Sequence, residues 1–308
     1  MLEYINRQNI SAAIRNPNLI ARGVRRLGHD LSRPIADARL EHMVGDRISV
    51  MDQDWDNLII LDACRYDTFV DVNNIDGDLS GVLSQGADSR TFMQKNFVGR
   101  ELHDTIYVTA NLHADFLDDD TFYTVKAIPY SERNPEKVTR AAVEMYEKYP
   151  DKRLIVHYMQ PHKPYLGPSG DQAREKLREM GLNHLITRGN YVEWDAYREG
   201  YLSEQELRTA YRENLQIALE HGKEVIKEIP GKTVFTADHG ELLGEKLLPI
   251  TSQLYGHPYY VSKLELLKVP WLVVEADNRR DIQKDEPIGF ERIDSEIAKK
   301  RLKELGYA

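Results

Sequence analysis

Five short runs of almost unbroken apolar, β-favouring residues punctuate this chain: Leu58-Ile59-Ile60-Leu61, Thr105-Ile106-Tyr107-Val108, Leu154-Ile155-Val156, Thr233-Val234-Phe235-Thr236 and Trp271-Leu272-Val273-Val274. A strand that is apolar at every position is buried on both faces, and that is the condition of a mostly parallel central sheet sandwiched by helices. Segments of helical pattern separate the runs, as the crossovers of such a sheet require. Asn134 precedes Pro135, a capping residue ahead of a proline at the first helical position, so a helix is expected over 135–149. Ser203-Glu204-Gln205-Glu206 reads as a capping box opening a longer helix. There is no internal repeat. Residues 36–308 read as one domain, within which 167–200, weakly periodic and rich in charge, are expected to form a cap or insertion over the sheet edge.

The 308 residues suffice to bury a substantial core, and 41 Lys+Arg against 50 Asp+Glu leave a charge of −9, which argues against a general nucleic-acid binder. Cys64 stands alone, so neither an internal disulfide nor a thiolate zinc cluster can form, and metal chemistry would have to use His and carboxylate ligands. Residues 1–35 differ from the rest in carrying six arginines against Glu3 and Asp30. Asn16-Pro17 followed by Leu19, Ile20, Val24 and Leu27 predicts a basic amphipathic helical arm there, which either packs on its own domain or makes a peripheral contact with an anionic membrane or a partner. No apolar run approaches the ~20 residues of a membrane span, and no secretory leader is evident. The expected address is therefore cytoplasmic, with membrane association through the arm as the variant. The sequence carries no sign of an oligomeric state.

Ligands of open α/β sheets bind at the carboxyl ends of the strands. Three of those ends are polar. One runs into Asp62-Ala63-Cys64-Arg65-Tyr66-Asp67, one into His157-Tyr158-Met159-Gln160-Pro161-His162-Lys163-Pro164-Tyr165, and one into Thr236-Ala237-Asp238-His239-Gly240-Glu241. Asp62 and the pair Asp238-His239 can converge on one divalent cation, since carboxylate oxygen and imidazole nitrogen together suit Zn, Mn and related ions. Gly240 is expected to let the chain turn sharply after placing that pair. Arg65 either forks onto an anion or pairs with Asp67 or Glu241. His157, inside a strand run, is expected in the core or behind the metal ligands, and His103, His113, His184 and His221 have no supporting context.

The Asp-x-x-Arg-x-Asp element at Asp62, the Asp-His-Gly-Glu element at Asp238, and Tyr255-Gly256-His257 followed by Val269-Pro270-Trp271 resemble the alkaline phosphatase superfamily, in particular its sulfatase-like branch, in order from about residue 55 to 275. The resemblance implies an alkaline phosphatase-like fold and a metal-bound Ser, Thr or formylglycine nucleophile at the start of a helix. The matching stretch is Gly86-Ala87-Asp88-Ser89-Arg90-Thr91-Phe92-Met93, with Ser89 as nucleophile, Thr91 as its rival, and a simple N-cap as the ordinary alternative for Ser89. Cys64-Arg65-Tyr66-Asp67-Thr68 lacks the proline and arginine of the formylglycine signature, so Cys64 reads as buried filler and phosphoryl transfer is favoured over sulfuryl transfer. His162 and His257 match positions that contact the transferred group or complete a second metal site, or else are structural. The Asp-x-x-x-His of a two-metal phosphatase is absent around 151–162.

The resulting expectation is a metal-dependent hydrolase or transferase acting on anionic phosphate mono- or diesters or sulfate esters through a covalent intermediate. Asp62, Ser89, Asp238 and His239 would hold one tight divalent ion (Zn, Mn, Mg or Ca), and a second would bind only if His162 and His257 are recruited. Arg65, His162 and His257 would stabilise developing charge or protonate the leaving oxygen. The alternative is a noncatalytic module of the same fold that docks to a membrane or a glycan-processing partner.

Overall fold

The computed structural model describes residues 45–183, 186, 192–248, 251, 253–258 and 261–291. The arginine-rich segment 1–35 lies outside the described residues, as does part of 167–200. An eight-stranded sheet is built from β1 (Asn57–Leu61), β2 (Asp78–Leu83), β3 (Leu102–Thr109), β4 (Phe122–Ala127), β5 (Arg153–Tyr158), β6 (Thr233–Ala237), β9 (Lys268–Val274) and β10 (Gly289–Glu291), in the spatial order β10-β4-β3-β5-β1-β6-β9-β2. The strands from β10 to β6 pair in parallel, whereas β9 is antiparallel to β6, and β2 to β9. A separate hairpin joins β7 (Leu242–Lys246) to β8 (Gln253–Gly256).

The sheet is covered on both faces. Against one lie helices α1 (Tyr66–Val72), α3 (Pro135–Lys148) and α6 (Glu204–Glu228), which contribute Phe69, Val138, Ala142, Leu215 and Leu219 to a core with Ile59, Leu61, Val156, Phe235 and Ala237. Against the other lies α2 (Ser89–Asn96), whose Phe92 and Met93 join Leu58, Ile60, Ile155 and Val234. Both expected helices form where their caps predict. Asn134 accepts from the Lys137 amide at the head of α3, and Ser203 closes a complete capping box on α6.

Helices α4 (Pro168–Glu179) and α5 (Val192–Arg198) pack through Ala173, Leu177 and Trp194 on a smaller apolar cluster with Tyr211 of α6 and the hairpin residues Leu243 and Tyr255. A one-turn helix, α7 (Leu264–Leu267), leads into β9. Among the described residues no helix is long and apolar enough to cross a membrane.

The alternation of side chains along a strand fixes where the polar strand ends point. On β1, Leu58 and Ile60 belong to the α2 side and Ile59 and Leu61 to the other, so Asp62 next in line projects toward α2. The same parity carries His157 after Ile155, and Asp238 after Val234 and Thr236, to that face. Three strands 57 to 238 residues along the chain thus deliver polar groups to one place, under the first turn of α2.

Candidate metal centre

Four donor atoms converge beyond the ends of β1 and β6. Ser89 Oγ is 3.3 Å from His239 Nε2, which lies 3.7 Å from Asp62 Oδ1 and 3.5 Å from Asp238 Oδ2. Separations of this size match the edges of a coordination polyhedron with bonds of about 2.0–2.2 Å, whose tetrahedral edge is roughly 3.4 Å. All four residues are buried.

Neighbouring groups orient each donor. The Asp238 Oδ1 atom accepts from the amides of Ala63 (3.1 Å) and His239 (2.8 Å), leaving Oδ2 with no hydrogen-bond partner. Asp62 Oδ2 accepts from the Asn111 amide at 3.2 Å, and its Oδ1 likewise has no partner. His239 Nδ1 sits 2.7 Å from the Gly240 carbonyl, which can only accept, so Nδ1 carries the proton and Nε2 turns its lone pair inward. Native proteins rarely leave buried carboxylate oxygens unpaired, and two of them facing one imidazole nitrogen fit a divalent cation. Burial, then the charges of Asp238 and Glu241, push the Asp62 carboxyl well above its ordinary value.

Ser89 is not the N-cap of α2. Asp88 takes that position, accepting from the Thr91 amide and hydroxyl, both at 2.8 Å. The Thr91 hydroxyl is thereby turned to Asp88, while the Ser89 hydroxyl faces the cluster.

A second group adjoins the first. His162, Glu241 and His257 place their donor atoms within 4.8 Å of one another, and the His257 and His239 rings lie with centroids 4.3 Å apart, tilted by 51°. His162 Nδ1 and Glu241 Oε1 have no hydrogen-bond partner, and Glu241 Oε2 is 3.3 Å from His257 Nδ1. Burial, with the charges of His257 and Lys163, keeps His162 well below its ordinary pKa and therefore neutral. Glu241 was visible in the sequence only as a candidate ion-pair partner; its side chain completes this trio.

Arg65 takes the ion-pair alternative with Asp67. Its guanidinium forks onto the Asp67 carboxylate and donates from Nη1 to Glu245 and to the Glu241 carbonyl at 2.9 Å. It ties the start of β7 to α1. Gly240 is needed for another reason than a sharp turn. Its φ is not positive, but a Cβ there would sit 2.0 Å from the Glu265 carbonyl oxygen. Cys64 is fully buried, and burial pushes its thiol pKa up, as filler should behave.

Several positioning residues escaped the sequence reading. Ala63, the residue after Asp62, adopts φ 60°, and Tyr211 of α6 braces that turn by donating to the Ala63 carbonyl at 2.6 Å and accepting from the Arg65 amide. One turn on, Asn214 donates to the Pro161 and His162 carbonyls and accepts from the Leu166 amide, fixing the loop that carries His162. The signal was two polar residues on the apolar face of a long helix, among Leu207, Ala210, Leu215 and Ala218. His113 also lies at the site, electrostatically coupled to Asp88, Arg90, His257 and Asp238; burial drives its pKa down to about 4.

The sequence matches no family model and no curated protein. Solved structures with related architecture include the C-terminal periplasmic domain of phosphoethanolamine transferase EptC from Campylobacter jejuni (14% identity, TM-score 0.45, 72% of this chain and 78% of that one). Another is the integral membrane phosphoethanolamine transferase EptA from Neisseria meningitidis (13%, TM-score 0.45, 90% of this chain and 59% of that one). A third is a sulfatase-like protein from Bacteroides thetaiotaomicron (12%, TM-score 0.39, 82% and 70%).

Proposed function

We propose that this protein is a metal-dependent hydrolase or transferase of phosphate or sulfate esters, with Ser89 as the nucleophile. The observation that carries the reading is the convergence of Ser89 Oγ and His239 Nε2 on the two unpartnered carboxylate oxygens of Asp62 and Asp238. These four residues would hold a divalent cation, Zn or Mn before Mg or Ca because of the imidazole. When bound, it supplies positive charge that lowers the pKa of a coordinated hydroxyl and polarises the ester.

The chain's own groups do the rest. Ser89 is the first residue of α2, and the N-terminal end of a helix favours an anionic substrate. Ser89, its hydroxyl proton first lost to solvent, bonds through Oγ to phosphorus or sulfur as the bond to the leaving oxygen breaks, giving a phosphoseryl or sulfoseryl enzyme. His257, beside Glu241, donates the proton that the leaving oxygen needs, and the neutral His162 hydrogen-bonds a non-bridging oxygen. Water or an acceptor alcohol then takes the group from Ser89, with His257 receiving its proton. The Ser89→Ala protein should bind metal but lose turnover of aryl phosphate, phosphodiester and sulfate ester probes by at least the ~10²-fold typical of a lost catalytic group. Unchanged turnover of every probe it cleaved before would remove Ser89 from the role.

A further inference from the structure

His157 is fully buried at the carboxyl end of β5, level with Ile60 of β1 and Thr109 of β3. No step above uses it. Its Nδ1 is 2.8 Å from the Tyr107 hydroxyl, and its Nε2 has no hydrogen-bond partner. That nitrogen faces Asp238 Oδ2 across 3.7 Å, and Oδ2 is itself unpartnered. Asp62, His157 and Asp238 place donor atoms within 4.8 Å of one another, and all three are buried. The strand parity that turns Asp62 and Asp238 toward α2 turns His157 the same way.

A buried polar atom without a partner costs about 1–3 kcal/mol, and Asp62, His157 and Asp238 each carry one. The Tyr107 hydroxyl can donate or accept. With Tyr107 accepting from Nδ1–H, the Nε2 lone pair points at the carboxylates, and the hydroxyl acts as the outer partner that fixes the tautomer of a ligating histidine. We propose that His157 Nε2 is a further ligand to the cation held by Asp62, Asp238, His239 and Ser89, so that two imidazoles flank Asp238 Oδ2. The inference rests on the proposed metal centre and deepens it. Two nitrogen donors in the set favour zinc and its transition-metal neighbours and disfavour Mg and Ca, which prefer oxygen.

The test is the number of imidazoles around bound zinc, read by X-ray absorption. To remove the adjoining trio, the full-length His162→Ala/His257→Ala protein is loaded with one equivalent of zinc. It should show two imidazoles per zinc, falling to one when His157→Gln is added, with zinc affinity reduced by roughly 10–100-fold or more and the preference for zinc over magnesium narrowed. Should the double variant fail to fold, His157→Gln in the otherwise unchanged protein must still lower the mean imidazole count. A count that does not change with His157→Gln overturns the inference, because His157 then only hydrogen-bonds Asp238 or a buried water. In that case zinc binding and ester turnover persist and the proposed function stands, whereas a chain that takes up no zinc at all refutes both.

Discussion

Replacing Gly240 by alanine tests whether the geometry of the Asp238-His239 pair depends on backbone contact with the segment before β9. A Cβ at 240 would lie 2.0 Å from the Glu265 carbonyl oxygen and 3.1 Å from its carbon. Cβ contacts under 3.0 Å essentially do not occur, so the two segments must separate by roughly 1 Å. The obstacle is backbone, and the Gly240 amide donates to the Leu266 carbonyl at 2.8 Å, so the strain cannot be relieved by a rotamer change. Overpacking of this kind costs about 1–3 kcal/mol, which for a body of this size is a fall in Tm on the order of 5 °C. The larger effect should be on the site, because His239 Nδ1 is anchored to the Gly240 carbonyl and moves with it. Misplacement of a ligand by about 1 Å is expected to lower turnover roughly 10²-fold.

Gly222→Ala is the control: its Cβ would meet the Phe235 ring at 2.4 Å, in the core on the sheet face opposite the site. It should cost similar stability and leave metal content intact. Calorimetry and metal analysis read both variants. A Gly240→Ala protein with normal Tm, metal content and turnover would refute the close-approach account, and equal loss of metal in both variants would show that the effect is merely global.

Two further outcomes are expected. Asp88→Ala, which strips the cap from α2, should cost about 1 kcal/mol and reduce turnover through Ser89, while Thr91→Ala should retain turnover; a dead Thr91→Ala enzyme with metal bound would reverse the choice of nucleophile. His113, with its pKa down to about 4 from an unfolded value near 6.5, takes up its proton only on unfolding between those pH values, so its contribution is lost as pH falls through that window. Urea titrations should show the wild type losing about 2 kcal/mol more than His113→Gln between pH 7 and 5, and parallel losses would contradict the burial of a neutral ring.

The parallel core strands β1, β3, β5 and β6 were legible because each holds a nearly unbroken apolar run, and α3 and α6 because their caps are local. Asp62 and Asp238-His239 could be picked out for the same reason: they follow the apolar runs directly, and strand polarity sends them to one sheet edge. β2, β4, β7, β8 and β10 escaped. The edge strand β2 holds only exposed and half-buried residues and is a strand only because β9 pairs with it.

Side-chain partnership at the site was decided by packing. Arg65 could pair with either of two carboxylates or fork onto an anion; Asp67 is two residues away, but only the approach of β7, some 180 residues on, added Glu245. Tyr211 and Asn214 looked like ordinary helix residues until α6 lay across the loops after β1 and β5. His157 looked like core until the register of β5 against β1 turned it toward Asp62 and Asp238. Local sequence fixes which residues stand at a strand end, since backbone propensity and side-chain alternation act over a few residues. Which of them touch depends on strand order and helix docking, which no short stretch of chain encodes.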